Sequence, residues 1–391
     1  MNRTVVVTGM GIVSPLESGR GLETFWDRAL KGENKIKKVT SFNVEKYPVR
    51  VAAEIEGFDT QEEGINKWMQ IAKVAFDEAL NDASLIMDNG IGISIGTVLG
   101  GILLGERHWR SGPGCKSLRL PAEYALSSGV RWFMKNYGIK GPALTVSTAC
   151  ASGTDAIGIA YRKILSGKAD IMIAGGIDVL SEFAFSGFNI LQAMTKEKVR
   201  PFDKRRDGLA LGEGAAFVVL ESLNSATRRK VNIYGKVAGY ASRGDAHHLT
   251  GPEKEGRGLA EAIRASMKEA GLQPSHMDYI NTHGTGTVYN DLMETKAVKS
   301  VFGKDAYNIP LNSIKAMIGH SFGAAGTIEG VICLLAIRDG IVPPTINYGE
   351  KDPECDLDYV PNKARKHKVK TALSLSAGFG GQNAAIIFEA A

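Results

Sequence analysis

The chain has 391 residues, 44% hydrophobic, 23% charged and 7% aromatic, with a formal net charge of +5. This is ordinary globular composition, which excludes fibrous and disordered classes and, at roughly 150 residues per domain, predicts two to three units. No apolar run approaches the roughly 20 residues of a membrane span, and the three valines at 5–7 are too short for a secretory core, so a cytoplasmic protein is expected.

In chain order, β-rich runs predict strands at 4–7, 91–95, 143–147, 170–174, 215–221, 237–241, 279–281, 371–376 and 384–388. Helical periodicity falls at 66–80, 122–135, 154–165, 258–269, 291–301 and 326–337. Alternation of this kind reads as a layered α/β protein with mostly buried sheets. Two segments look alike, TACASGTDAIGIA at 148–160 and GHSFGAAGTIEGVICLLA at 319–336. Each opens on a polar reactive residue, continues through small residues and ends in an apolar helix. The echo suggests two related halves, 1–250 and 251–391, with helices meeting near the centre and the break in the polar stretch 243–256.

Several chemistries are not indicated. The opening VVVTGMGIVSP has Gly9 and Gly11 but no complete GxGxxG, and no strand ending in an acid follows about 20 residues on, so dinucleotide binding is not expected. No phosphate-binding GxxxxGK[ST] loop is present. Cys115, Cys150, Cys333 and Cys355 form no CxxC pair, and His247 and His248 are adjacent rather than at ligand spacing, so no metal is expected. Basic clusters at 35–38, 196–206, 228–230 and 363–370 lack interleaved aromatics. They suit an acidic protein partner better than nucleic acid.

Four segments could carry chemistry. The strand at 143–147 runs into Thr148-Ala149-Cys150 and then a helix, which sets the Cys150 thiol near a helix N-terminus, where amides and the macrodipole favour a thiolate. NTHGTGT at 281–287 presents His283 at a strand end, with hydroxyls from Thr285 and Thr287 for a polar ligand. NSIKAMIGH at 312–320 brackets an apolar stretch with Lys315 and His320, and Glu329 lies in the following helix. A buried lysine with a carboxylate could hold a neutral imidazole in place. Asp291 and Glu294 share one face of the helix after NTHGTGT, either as anchors for this cluster or as an exposed acidic face. SAGFGGQN at 376–383 surrounds Phe379 with glycines, as a loop whose amides form an oxyanion hole would.

Taken together, VVVTGMGIVSPL, TACASG, RPFDKRRDG, LGEGAA, NTHGTGT, KAMIGHSFGAAG, VPPTIN, CDLDYVPNKAR and GFGGQNA resemble the β-ketoacyl-acyl carrier protein synthases of the second type, along nearly the whole chain. The chain also looks like the ketosynthase subunits of type II polyketide systems. The resemblance implies a thiolase-like five-layered αβαβα fold built from two related halves. It implies decarboxylative condensation of malonyl-carrier with an acyl chain held on Cys150, with His283 and His320 assisting decarboxylation and Lys315 beside them. Asp291, Glu294 and Glu329 would surround this cluster, Thr285 and Thr287 would hold a phosphopantetheine arm, and Phe379 would gate the site. Lys204, Arg205 and Arg206, in the RPFDKRRDG motif, would dock an acyl carrier protein. No metal or redox cofactor is implied. The expected assembly is a homodimer, or a heterodimer with a chain-length-factor-like subunit.

Three features depart from the fatty acid enzyme. The segment between Phe188 and Arg200 is short, VYNDLMET follows the first histidine motif where a Pro-Gly-Asp pattern is usual, and Ala377 replaces a common aromatic. A thiolase would carry a second cysteine near SAGFGGQN, and a non-condensing partner subunit would usually lack Cys150.

Overall fold

The computed structural model describes residues 3–58, 66–88, 90–111 and 124–391. Cys115 and the start of the expected 122–135 helix lie outside them. Ten strands matter for the site: β1 (Val5–Val13), β2 (Gly92–Gly96), β3 (Ala143–Val146), β4 (Ile171–Asp178), β5 (Gly214–Ser222), β6 (Gly235–Gly244), β7 (Tyr279–Asn281), β8 (Leu311–Asn312), β9 (Thr371–Gly378) and β10 (Gln382–Glu389). The helices used below are α1 (Lys67–Asp82), α2 (Ser128–Tyr137), α3 (Ser152–Leu165), α4 (Glu182–Ile190), α5 (Arg257–Ala270), α6 (Val288–Phe302) and α7 (Ala325–Asp339).

The strands fall into two sets of five with one pattern. In the first, β1 pairs antiparallel with β5, β5 antiparallel with β4, and β4 and β2 continue in parallel to β3. In the second, β6 pairs antiparallel with β10, β10 antiparallel with β9, and β9 and β7 continue in parallel to β8. Each set therefore runs first, fifth, fourth, second, third. A short antiparallel contact between β1 and β6 joins them.

Strand alternation distributes the core. Phe217, Val219 and Ile173 face Trp68, Phe76 and Phe133 of α1 and α2 on one outer side. Ile280, Leu373 and Ile387 face Leu259, Ile263 and Val298 of α5 and α6 on the other. The opposite faces, with Val218, Leu220, Ala372 and Ile386, close on Ile157 and Ala160 of α3 and Ile328 and Val331 of α7. The result is the expected five-layered αβαβα arrangement.

The small residues noted in the two look-alike segments sit where α3 and α7 cross. A Cβ on Gly153 would lie 2.6 Å from the Gly323 carbonyl oxygen, and one on Gly326 would lie 2.1 Å from Thr154 Oγ1. Gly9 and Gly11 serve the same purpose elsewhere: a Cβ on Gly11 would stand 2.0 Å from the Ala75 carbonyl of α1. The opening glycines are thus helix-packing residues.

The repeated strand pattern restarts at Gly235. The polar stretch 243–256 follows it. The Asp245 amide donates to the Gly381 carbonyl at 2.8 Å, and the Gly380 amide donates to the Leu249 carbonyl at 2.7 Å, so the stretch packs on the glycine loop.

Candidate active site

Cys150 sits in a tight turn between β3 and α3. Ala149 takes φ +50°, a left-handed conformation unusual for alanine. The Ser152 hydroxyl holds the turn, donating to the Ala149 carbonyl at 2.6 Å and accepting from the Thr148 amide at 2.9 Å. The thiol thus lies just ahead of the first turn of α3, only 8% exposed.

His320 Nε2 lies 2.9 Å from Cys150 Sγ. The rings of His283 and His320 are 5.1 Å apart and nearly perpendicular. The Phe379 amide also points at the sulfur, and a Cβ on Gly378 would come within 3.0 Å of the Cys150 nitrogen. Burial pushes the Cys150 thiol up to about 11, opposed by the Lys315 cation and the Phe379 amide. Burial holds both imidazoles well below the usual histidine range, and Lys315 adds to the effect. They are therefore neutral at pH 7.

The surrounding groups hold this cluster. Lys315 Nζ donates to the His283 carbonyl at 2.5 Å and forms a buried ion pair with Glu329. Glu294 accepts from the His283 and Gly284 amides at 2.5 and 2.8 Å. Asp291 accepts from the Phe202 and Gly286 amides at 2.7 and 3.2 Å. Both carboxylates are fully buried, which rules out the exposed acidic face. Burial raises Asp291 to about 6 and Glu294 to about 8, against the pull of these amides.

Cys150, His283 and His320 line the floor of a cavity of about 440 Å³ whose walls include Thr285, Thr287, Phe379 and Tyr289. The hydroxyls of Thr285 and Thr287 are 2.9 Å apart. Phe379 is half-buried and stacks on Phe188 of α4 at 5.5 Å and 15°. Lys204 and Arg205 are exposed and reach Glu350, and Arg205 also pairs with the buried Asp203 at 3.1 Å. Arg206 corrects the expected docking trio. It is buried, with its guanidinium paired to Asp352 and donating to the Asp203 carbonyl at 3.1 Å.

Two residues escaped the sequence reading. Asp178, at the end of β4, accepts from Val98, Leu99 and Gly323 amides at 2.7–2.9 Å and ties three segments together beside Cys150. A lone acid at a strand end gives no periodic signal. Phe188 lies on α4, a helix that is apolar on nearly every side; its only local sign is the Ser181 cap, which accepts from the Ala184 amide.

Residues 2–226 match the N-terminal domain of beta-ketoacyl synthase, and residues 234–349 match its C-terminal domain. The chain is 39% identical to a 3-oxoacyl-[acyl-carrier-protein] synthase 2 of Staphylococcus aureus, over 99% of this chain and 98% of the relative. It is equally 39% identical to a putative polyketide beta-ketoacyl synthase 1 of Streptomyces halstedii, with the same coverage. A type II polyketide ketosynthase solved with its acyl-carrier protein and bound to the hexaketide superposes with a TM-score of 0.93 at 34% identity, covering 100% of both chains. The ishigamide ketosynthase/chain length factor gives 0.93 at 33% identity, again with 100% coverage of both. Matched along both halves and at this level of identity, the chain belongs to the β-ketoacyl synthase family.

Proposed function

We propose that this protein condenses malonyl units with an acyl chain on Cys150, giving a β-ketoacyl thioester on an acyl carrier protein. The observation that carries the reading is His320 Nε2 at 2.9 Å from a sulfur that the Phe379 amide also addresses. In the first half-reaction, Cys150 sulfur attacks the acyl thioester carbonyl. The amides of Cys150 and Phe379 hold the oxyanion, and the pantetheine thiol leaves with the proton given up by Cys150. In the second, neutral His283 and His320 donate N–H groups to the malonyl thioester oxygen while CO₂ departs. The resulting carbanion attacks the acyl-Cys150 carbonyl, and the sulfur leaves as a thiolate that takes up one proton from solvent.

On this reading, Thr285 and Thr287 hold the phosphopantetheine arm, and Lys204 and Arg205 meet the carrier. Lys315, Glu329, Asp291 and Glu294 act by positioning the two histidines. The first five-strand set carries the nucleophile, and the second carries both histidines. No metal or redox group takes part, and the work is done in the cytoplasm, where the carrier and reduced thiols are available. Incubation with acyl-carrier, then malonyl-carrier, tests the reading. The acyl mass should map to Cys150, followed by CO₂ release and a β-ketoacyl product. Absence of an acyl mass on Cys150 overturns it.

A second reading is a polyketide ketosynthase subunit paired with a chain-length-factor-like partner. It is favoured by Val288 and Tyr289, 47% and 70% exposed at the start of α6 where VYND departs from the fatty acid pattern. Intact mass of the assembly separates a homodimer from a heterodimer.

A further inference from the structure

We propose that Cys150, His283 and His320 also form a reversible, inhibitory site for a soft divalent cation such as Zn²⁺. That the ion binds rests on geometry alone; that its binding inhibits rests on the condensation reading.

A ligand atom from each of the three side chains lies within 4.8 Å of the others, and all three are buried. They belong to three separate segments, so they surround a point rather than share one face. One thiolate and two imidazoles are the donors zinc prefers, at about 2.3 Å from sulfur and 2.0–2.1 Å from nitrogen. Tetrahedral angles at those lengths put ligand atoms about 3.3–3.6 Å apart. The Cys150–His320 separation of 2.9 Å must widen slightly, and any wider contact must close by about an ångström. The backbones that carry the histidines are fixed: the His320 amide donates to the Ala210 carbonyl at 2.7 Å, and Lys315 and Glu294 hold the backbone of His283. The fourth position opens into the 440 Å³ cavity, so a water or an incoming thiol can complete the shell.

The same geometry sets the strength of binding. Zinc-bound histidines normally donate their far ring nitrogen to an acceptor, and loss of such a partner weakens binding by about 10–100-fold. His320 Nδ1 is buried with no hydrogen-bond partner among the described residues. The site is therefore a trap from which the ion leaves, not a resident centre. Binding replaces the S–H bond with an S–Zn bond and releases one proton to solvent, with no change of oxidation state. It occupies the sulfur that the condensation reading assigns to acylation.

The test uses the purified full-length protein with Co²⁺ as a spectroscopic probe and Zn²⁺ as competitor. One equivalent of Co²⁺ should give the intense visible bands of a four-coordinate ion and a near-ultraviolet thiolate charge-transfer band. Zn²⁺ should abolish both, and a chelator should restore the free thiol titre. Cys150→Ser should remove the charge-transfer band, and His283→Ala should raise the dissociation constant at least tenfold. The exposed neighbours His247 and His248 are the competing site, so His247→Ala/His248→Ala should leave the spectrum unchanged. A six-coordinate spectrum, an unchanged affinity in Cys150→Ala, or loss of binding in the His247/His248 variant overturns the proposal.

Discussion

Lys315 and His283 are joined through the main chain: the lysine ammonium donates to the His283 carbonyl at 2.5 Å while its charge is matched by Glu329. The lysine thus fixes where the imidazole stands without touching the ring. Removing it would leave Glu329 as an uncompensated buried carboxylate. Lys315→Met should cost about 3–5 kcal/mol, whereas Lys315→Met/Glu329→Leu should recover most of that loss. Urea unfolding of the two variants checks this. Malonyl decarboxylation should stay low in both, since neither holds the His283 carbonyl.

The pH behaviour of the site follows from burial. Both imidazoles lie well below the usual histidine range, so they lose no proton between pH 6.5 and 8. The rings themselves should contribute no step to malonyl decarboxylation across that window and should depress it only at more acidic pH, where they protonate; a step between pH 7 and 8 belongs to Glu294, raised to about 8 by burial. A midpoint near 6.5 would mean that at least one ring is hydrated and titrates normally.

Cys150 should behave as a hard-to-ionise thiol. With burial pushing it up to about 11, its thiolate fraction rises about tenfold per pH unit below that value. Iodoacetamide labelling of Cys150 should climb steadily from pH 7 to 9. A plateau by pH 8 would show that the adjacent imidazole and the start of α3 hold the thiolate instead.

The three cations of the RPFDKRRDG motif should separate. Lys204→Ala with Arg205→Ala should raise KM for carrier-bound substrate, leave a small pantetheine thioester unaffected, and move the melting temperature little, because both cations are in water, their pairs with Glu350 contribute about 1 kcal/mol or less, and Asp203 keeps the Gly349 and Glu350 amides. Arg206→Ala should instead destabilise the fold by about 3–5 kcal/mol, since it strands Asp352. Parallel effects of all three substitutions would contradict this division.

Phe379 stacks on Phe188 and is only half-buried, so Phe379→Ala should cost about 0.5–1.5 kcal/mol beyond its modest lost area, not the several kcal/mol of a core phenylalanine. Phe379→Ala and Phe188→Ala should both release CO₂ from malonyl-carrier without an acyl acceptor. Tight coupling in both variants, with a large drop in melting temperature, would make the pair a packing contact rather than a gate.

Local pattern was enough to find most of the fold. Alternation located the strands around 171–178, 214–222 and 279–281, and 3.6-residue periodicity located the helices around 67–82 and 257–270, because both signals are carried by neighbours in the chain. The placement of Cys150 at a strand-to-helix turn was legible for the same reason. The two-residue strand Leu311–Asn312 was too short to show a period, and α4 was apolar on too many faces to show a stripe.

What the sequence by itself determined were the kinds of side chain present and the local turns that present them. Tertiary structure decided which of them meet. His320 and Cys150 are 170 residues apart and touch because α3 and α7 cross at glycines. Arg206 and Arg205 are adjacent in sequence, yet one is buried and the other is in water. Burial, and with it the neutral imidazoles and the raised thiol, depends on layers contributed by both halves of the chain, and no local window of residues contains that information.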